Sequence, residues 1–138
     1  MESNMKKLWR EKWLNCMNEL TSFDLQKKSW LDRTQNNPHW SFVEFMCSYF
    51  DDLAVDNIYK PPLDNGWITL HEYEIIKTWH EELAKYYSPN HDDYNHEAIL
   101  NDPNWLYILK IGVDSKHTLA ELLNENEKEI LLKEMDYI

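Results

Sequence analysis

Large apolar side chains recur at intervals of three and four residues along most of this 138-residue chain. In the first segment, the intervals of 4, 4, 3 and 4 positions separate Met5, Trp9, Trp13, Cys16 and Leu20. That spacing places all five on one helical face, because an α-helix turns once in about 3.6 residues. No segment alternates convincingly between apolar and polar residues, as a half-buried strand would. The chain is therefore predicted to be an all-α, irregular bundle of about six helices in a single domain.

Caps and prolines indicate where these helices begin and end. Asn37–Pro38 and Asp102–Pro103 each combine a capping side chain with a proline that fits the first helical turn. Thr69 and Glu72 have the spacing of a capping box, and the helix that they open should stop before Ser88–Pro89. We expect helices over residues 2–20, 24–32, 38–54, 70–87, 103–123 and 126–137, with a short helical piece at 96–100.

The stretch from Val55 to Gly66 is the longest without helical periodicity. Pro61–Pro62 should prevent a regular helix there, and Asp64–Gly66 has the composition of a turn. The other glycine, Gly112, falls inside a predicted helix, where it marks a close approach of two helices or is a tolerated defect costing about 1 kcal/mol. With only 2 Gly in the chain, folds built on tight hairpins or phosphate-binding loops are disfavoured.

The 7 Trp, 8 Tyr and 4 Phe residues are enough to build one core but not two independent ones. This aromatic content also argues against disorder. Cys16 and Cys47 lie in apolar-periodic stretches, so we expect two buried, reduced thiols and not a disulfide scaffold. Four tryptophans are predicted to be core residues: Trp9, Trp13, Trp79 and Trp105.

No targeting segment is recognisable. Glu11 and Lys12 interrupt the apolar pattern after the N-terminus, so no signal peptide is predicted. No window approaches the roughly 18 uninterrupted apolar residues that a transmembrane helix needs. We therefore expect a cytoplasmic protein.

Charge is distributed unevenly, and the formal net charge is −11. Residues 1–33 carry 7 basic and 5 acidic side chains, a net charge of +2, whereas residues 34–138 carry 7 basic and 20 acidic ones, a net charge of −13. A phosphate backbone or an anionic membrane requires a cationic face, so neither nucleic acid nor membrane is an expected partner. A protein with a basic surface is the expected partner instead. We expect residues 1–33 to form a helical extension that packs on a core made by residues 34–138.

Two acidic clusters are candidate binding sites. Asp51–Asp52 lies near the end of a predicted helix, where carboxylates oppose the helix dipole. The pair either binds a metal or a partner, or it caps the following loop with one residue while the other is solvated. The densest group of potential ligands, residues 91–97, matches no zinc or calcium motif. It is expected to be a solvated acidic loop or to bind a basic protein surface, and no metal or cofactor is predicted.

Two tryptophans are candidates for surface contacts. Trp67 follows Gly66 and Trp40 adjoins His39, so either could be exposed, with a core position as the alternative. Trp and Tyr are enriched in binding hot spots, so exposed rings on acidic ground would form a protein-binding patch. The candidate partner-binding residues are Asp51, Asp52, Trp67, Asp92, Asp93 and Glu97.

The sequence contains no positive signal for catalysis. No Ser or Cys lies in a nucleophile elbow and no Gly-rich loop could hold phosphate, so no catalytic residue is assigned. His71 and His80 point to opposite sides of one predicted helix, and His80 is expected to be a half-buried packing residue. In an enzyme or metalloprotein, folding would have to bring Asp51, Asp52, Glu72 and residues 91–97 together into one site.

Several short motifs follow one another between residues 40 and 123: Phe50-Asp51-Asp52-Leu53, Gly66, Glu72 with Glu74, and Asp102-Pro103-Asn104-Trp105. Their order resembles a family of small, uncharacterised bacterial all-helical proteins, which are similar in size, acidity and helical content to the immunity proteins encoded beside polymorphic toxins. The resemblance implies a protein that neutralises a toxin domain, and it assigns no catalytic residue. It does not account for the N-terminal helix that carries Trp9 and Trp13.

Three hypotheses about function follow from these observations. The leading one is a cytoplasmic, acidic protein-binding module, specifically an immunity protein that neutralises a basic bacterial toxin domain. The second is a homo-oligomeric helical protein with a structural or scaffolding role, in which surplus aromatic residues form the subunit interface. The third is the carboxylate-rich enzyme or metalloprotein.

Overall fold

The structure is a computed structural model that describes residues 2–32 and 41–134, with side chains from residue 4 onward. Eight α-helices, one 3₁₀ turn and no β-strand occur within these two ranges, which confirms the all-α prediction. The count exceeds six because two of the helices are only 5 residues long. The elements are α1 (Glu2–Leu20), α2 (Phe23–Trp30), α3 (Phe42–Phe50), α4 (Lys60–Asp64), α5 (Leu70–Lys85), the 3₁₀ turn Pro89–His91, α6 (His96–Leu100), α7 (Pro103–Ala120) and α8 (Glu125–Leu132).

Local capping determines where α5 and α7 begin. The Thr69 hydroxyl accepts a hydrogen bond from the Glu72 amide at 3.1 Å, and the Glu72 carboxylate accepts one from the Thr69 amide at 2.9 Å. The predicted capping box is therefore confirmed. At α7, the Asp102 carboxylate accepts from the Asn104 amide and Pro103 occupies the first turn, as predicted.

The boundaries of α3 differ from the prediction. Its N-cap is Ser41, whose hydroxyl accepts from the backbone amide three residues later, and the predicted start at Asn37–Pro38 lies outside the described residues. The helix ends at Phe50 and not near Ala54. Ala54 has a φ of 54°, and this left-handed conformation cannot continue a right-handed helix.

The prediction that Pro61–Pro62 prevents helix was wrong, because both prolines lie in the first turn of α4. A proline has no amide hydrogen, but the amides of a first turn need no partner within the helix, so the position tolerates it. The end of α7 at Ala120 is earlier than predicted, since residues 121–123 form a turn. Helix α8 ends at Leu132 and not near residue 137, because Lys133 has an extended backbone with a ψ of 146°.

Helices α5 and α7 pack closely against each other at Gly112. A Cβ atom added to Gly112 would lie 2.7 Å from both Thr21 Cγ2 and Trp79 Nε1. Carbon atoms do not approach so closely, so the interpretation of Gly112 as a point of close helix contact is confirmed. Trp79 is fully buried there, and Trp13, Trp105 and Trp9 are buried as predicted.

Helix α1 packs mainly against α8 and α3. Its buried face begins at Trp9, whose indole N–H donates to the carbonyl oxygen of Leu53 at 3.0 Å. The prediction that Met5 belongs to this face was wrong, because Met5 is 60% exposed. The first turns of α1 therefore extend beyond the body of the bundle.

Two further burial predictions were wrong. The buried residues of α3 are Phe42, Phe45 and Tyr49, so Cys47 is turned away from the core and is exposed. His80 was expected to be half-buried but is fully buried in a polar network described below.

Candidate functional site

A groove of about 350 Å³ opens between α3 and the segment that joins α5 to α6. Its α3 wall is mostly apolar and consists of Phe42, Val43, Met46 and Cys47. Phe42 is held in place by the ring of Trp105, which it meets edge to face with the ring centroids 5.5 Å apart. This wall is therefore preformed, because its largest side chain is anchored in the core.

Hydrogen bonds and ring contacts shape the opposite wall. Ser88 Oγ donates to Asp93 Oδ1 at 2.6 Å, and the His91 ring lies edge-on to Tyr87 at 5.7 Å. Asn90 and His91 have φ values of 56° and 57°. A non-glycine residue in this left-handed region costs about 1–3 kcal/mol, so the surrounding contacts must hold the loop in one shape. The wall consists of Tyr86, Tyr87, Ser88, His91 and Asp93.

Carboxylates border the groove on both sides. Glu44 on α3 and Asp51, the C-cap of α3, lie one helical turn before and one after Cys47, so both flank the groove wall at Cys47 without lining the groove itself. Partial desolvation, a hydrogen bond with Asp51 and the charges of Asp51, Glu44 and Asp52 raise the pKa of the Cys47 thiol. Asp93 adds a carboxylate from the opposite wall. We call this feature, with Glu44, Asp51 and Asp93 at its edge, the acid-rimmed groove.

The chemistry of the acid-rimmed groove favours binding over covalent catalysis. A nucleophilic cysteine needs a lowered pKa, but the surroundings of Cys47 raise it. Ser88 donates its hydroxyl hydrogen to a carboxylate and not to a histidine base. The apolar walls can instead cover an aliphatic or aromatic side chain, while the rim attracts cations.

The other predicted partner-binding residues are not gathered at this groove. Asp52 forms an exposed ion pair with Lys12 at 3.2 Å. Asp92 accepts a hydrogen bond from the amide of Tyr94, which stabilises its own turn. Glu97 is exposed on α6. Of the six candidates, Asp93 lines the groove, and Asp51 and Asp52 lie near its Cys47 edge, where Asp52 is paired with Lys12.

Trp67 lies at the opposite end of α5 and is half-buried. Its ring packs on Trp9 with centroids 5.6 Å apart, and its carbonyl oxygen accepts from Arg10 at 2.8 Å. This position fits a structural role better than an exposed aromatic contact. Trp40 lies outside the described residues.

Arg10 also binds Glu72, which the enzyme hypothesis would have required as a free carboxylate. The guanidinium contacts both Glu72 oxygens, at 3.0 and 2.8 Å, and it contacts Glu127 at 2.7 Å. Burial alone would raise the pKa of Glu72, but hydrogen bonds from Arg10 and Thr69 outweigh it and lower the pKa. In the described part of the chain, no three His, Cys, Asp or Glu side chains converge as a metal site would require.

A second buried network runs through four aromatic side chains. His80 Nε2 lies 2.7 Å from the carbonyl oxygen of Asp56, so this nitrogen carries the hydrogen and His80 Nδ1 accepts. Tyr49 must then donate to Nδ1, at 2.8 Å, and Tyr59 must donate to Tyr49. Tyr59 in turn accepts from the Trp13 indole at 3.1 Å. Each donated hydrogen in this series of hydrogen bonds has one acceptor, so the network fixes the relative positions of its four side chains.

Val43, Met46 and Tyr87 line the groove but were not predicted from the sequence as site residues. The spacing of Val43 and Met46 marks only an apolar helix face, which is equally typical of a core. Tyr87 precedes Ser88–Pro89, where the helix was predicted to stop, and this break was a usable signal of a surface ring.

No known protein family, curated protein or solved structure matches this chain. None of the helices in the described ranges is both long enough and apolar enough to cross a membrane.

Proposed function

We propose that the protein binds a partner protein with a basic surface, and that the acid-rimmed groove is the docking site. The observation that supports this most strongly is the combination of an apolar groove with carboxylates on both edges. Within residues 2–32 and 41–134, Glu44, Asp51 and Asp93 form no ion pair with a Lys or Arg. Their charge is therefore available to a partner.

The apolar walls and the acidic rim contribute differently to binding. An apolar cavity of about 150 Å³ accommodates a benzene-sized group, so a groove of about 350 Å³ has room for two apolar side chains. Their burial favours the bound state by roughly 25 cal/mol for each Å² of apolar surface. The carboxylates mainly accelerate association with a cationic partner, and this effect weakens as salt increases.

The partner class that we propose is a basic bacterial toxin domain, which would make this protein a cytoplasmic immunity protein. The net charge of −11 and the order of the Phe50–Leu53 and Asp102–Trp105 motifs support this choice. A second apolar groove is lined by Phe23, Leu106 and Lys110 among others. Its lining contains a lysine and no carboxylate, so it is not complementary in charge to a basic partner protein.

The test compares two charge-reversed variants in affinity capture from the native host. The groove variant carries Glu44→Lys, Asp51→Lys and Asp93→Lys. The matched control reverses three carboxylates that lie elsewhere on the surface of the described structure and changes the net charge equally: Glu74→Lys, Asp114→Lys and Glu129→Lys.

We expect a basic protein to be captured by the wild type and by the control but not by the groove variant. With that protein purified, the association rate should fall as ionic strength increases, because the Debye length shortens from about 30 Å at 0.01 M to about 10 Å at 0.1 M. Equal capture by the groove variant, or capture of no basic protein by the wild type, would contradict the proposal.

A further inference from the structure

The first turns of α1 form a basic, apolar projection that contributes nothing to the core. Met5 and Leu8 are 60% and 67% exposed, and their spacing of three places them on one side of the helix. Lys6 and Lys7 lie between them and are exposed. We call residues 4–8 the α1 tip.

The α1 tip cannot reach the acid-rimmed groove of its own chain. Trp9, which follows the tip, contacts Leu53 after the end of α3 and Trp67 before the start of α5. The apolar walls of the groove lie toward the other end of both helices, beside Phe42 and Tyr86, whereas its rim residue Asp51 lies at the near end of α3. The 16 residues of α5 separate these ends by about 24 Å, at roughly 1.5 Å per residue.

The tip and the groove are nevertheless complementary. The tip presents two aliphatic side chains flanked by two lysines, and the groove presents apolar walls flanked by Glu44, Asp51 and Asp93. The groove has the volume to receive both Met5 and Leu8. Because the tip and the wall at Tyr86 lie at opposite ends of α5, Met5 and Leu8 can enter such a groove only on another molecule.

We infer that the α1 tip of one copy docks in the acid-rimmed groove of a second copy. This inference rests on the proposed use of the groove as a docking site. The contact is head-to-tail, so every open assembly leaves one tip and one groove free, and association produces short chains or a closed ring. A partner protein must displace the neighbouring copy, so self-association limits access to the groove.

Two complementary variants test this geometry. The tip variant carries Lys6→Gln, Lys7→Gln and Leu8→Ser and keeps its groove. All three positions are exposed and glutamine has a helix propensity close to that of lysine, so the fold should be retained. The groove variant is Glu44→Lys, Asp51→Lys and Asp93→Lys, and it keeps its tip.

Sedimentation velocity at low salt should show concentration-dependent association of the wild type and monomers for each variant alone. An equal mixture of the two variants should form a 1:1 dimer that goes no further, because the tip of the groove variant fills the groove of the tip variant. Each variant should weaken its own association by about tenfold or more. A control with Lys77→Gln, Lys110→Gln and Leu122→Ser, at exposed positions elsewhere, should associate like the wild type.

Three results would overturn the inference: a wild type that stays monomeric at hundreds of micromolar, association that both variants retain, or a mixture that forms no dimer. Circular dichroism of each variant establishes that the helices are intact. If the sedimentation test of self-association fails, the proposed function is still supported when the captured basic protein binds the control but not the groove variant. If the captured protein binds the groove variant and its control equally while the mixture still dimerises, the groove binds a second copy of this chain and not a different protein.

Discussion

Arg10 and Glu72 are joined by two hydrogen bonds of 3.0 and 2.8 Å although 62 positions separate them in the sequence. Together with Glu127, at 2.7 Å from the same guanidinium, this pair connects α1, α5 and α8. Both Arg10 and Glu72 are buried, with side-chain exposures of 10% and 7%. The contact holds together the end of the bundle from which the α1 tip projects.

We predict that Arg10→Met lowers the free energy of unfolding by about 3–5 kcal/mol, because it leaves the buried Glu72 carboxylate without its cation. Urea denaturation at neutral pH measures this change. The matched control is Lys12→Met, which removes an exposed ion pair with Asp52 and should change the stability little. Equal losses of unfolding free energy for the two substitutions would show that the buried ion pair of Arg10 stabilises the fold no more than the exposed ion pair of Lys12.

Gly112→Ala should destabilise the protein by about 1–3 kcal/mol, since the added Cβ would lie 2.7 Å from Thr21 Cγ2 and Trp79 Nε1. Thermal unfolding monitored by circular dichroism provides the measurement. Part of the loss should be recovered in a Thr21→Ser background, which removes one of the crowding atoms and keeps the hydroxyl bonded to Met17. A fully stable Gly112→Ala variant would disprove the close helix contact.

The network around His80 predicts a pH-dependent stability. Burial lowers the pKa of His80 below its ordinary value of 6.5, and a proton on Nδ1 would remove the acceptor that Tyr49 requires. The folded state therefore binds this proton less readily than the unfolded chain. The contribution of His80 to stability is complete above about pH 6.5 and is lost as the pH falls from there toward its folded pKa.

Chemical denaturation at a series of pH values, on wild type and His80→Gln, measures this contribution. The stability of the variant should fall less between neutral and mildly acidic pH. Burial raises the pKa of Glu19 to about 7, which acts in the opposite direction, so only the difference between the two proteins isolates His80. His71→Gln, an exposed position on the same helix, should retain the wild-type profile.

The two cysteines should react differently with a thiol reagent. Cys47 is exposed, whereas Cys16 is buried and burial raises its pKa to about 12. We predict that Cys47 alone is modified in the native protein, slowly because its pKa is also raised, and that Cys16 reacts only after unfolding. Mass spectrometry counts the modified sites, and Cys47→Ser should abolish native-state labelling. Fast modification of both thiols would be incompatible with this structure.

The local features of the fold were predictable from sequence because each depends on neighbouring residues. Apolar residues at intervals of three and four positions predicted the helices. The Thr69–Glu72 and Asp102–Pro103 signals located the starts of α5 and α7. The prediction at Pro61–Pro62 was wrong because a proline stops a helix that precedes it but fits the first turn of one that it begins. The burial of Trp79 also followed from its place on an apolar face.

The candidate site was only partly predictable. Asp51 and Asp93 were identified from the sequence, but nothing in the sequence showed that they border one groove, since 42 positions separate them. Asp52 was identified equally well and turned out to face Lys12. Charge density marks acidic segments without showing which carboxylates share a surface.

Sequence alone determined that this chain forms helices with aromatic faces and carries an excess of carboxylates, because helical periodicity and charge are properties of neighbouring residues and of composition. Only the tertiary structure decided that Cys47 faces solvent, that Arg10 meets Glu72, and that α3 and the segment after α5 enclose an apolar groove. Those outcomes depend on which helix faces pack together, and packing is a long-range competition among many apolar surfaces that no short motif encodes.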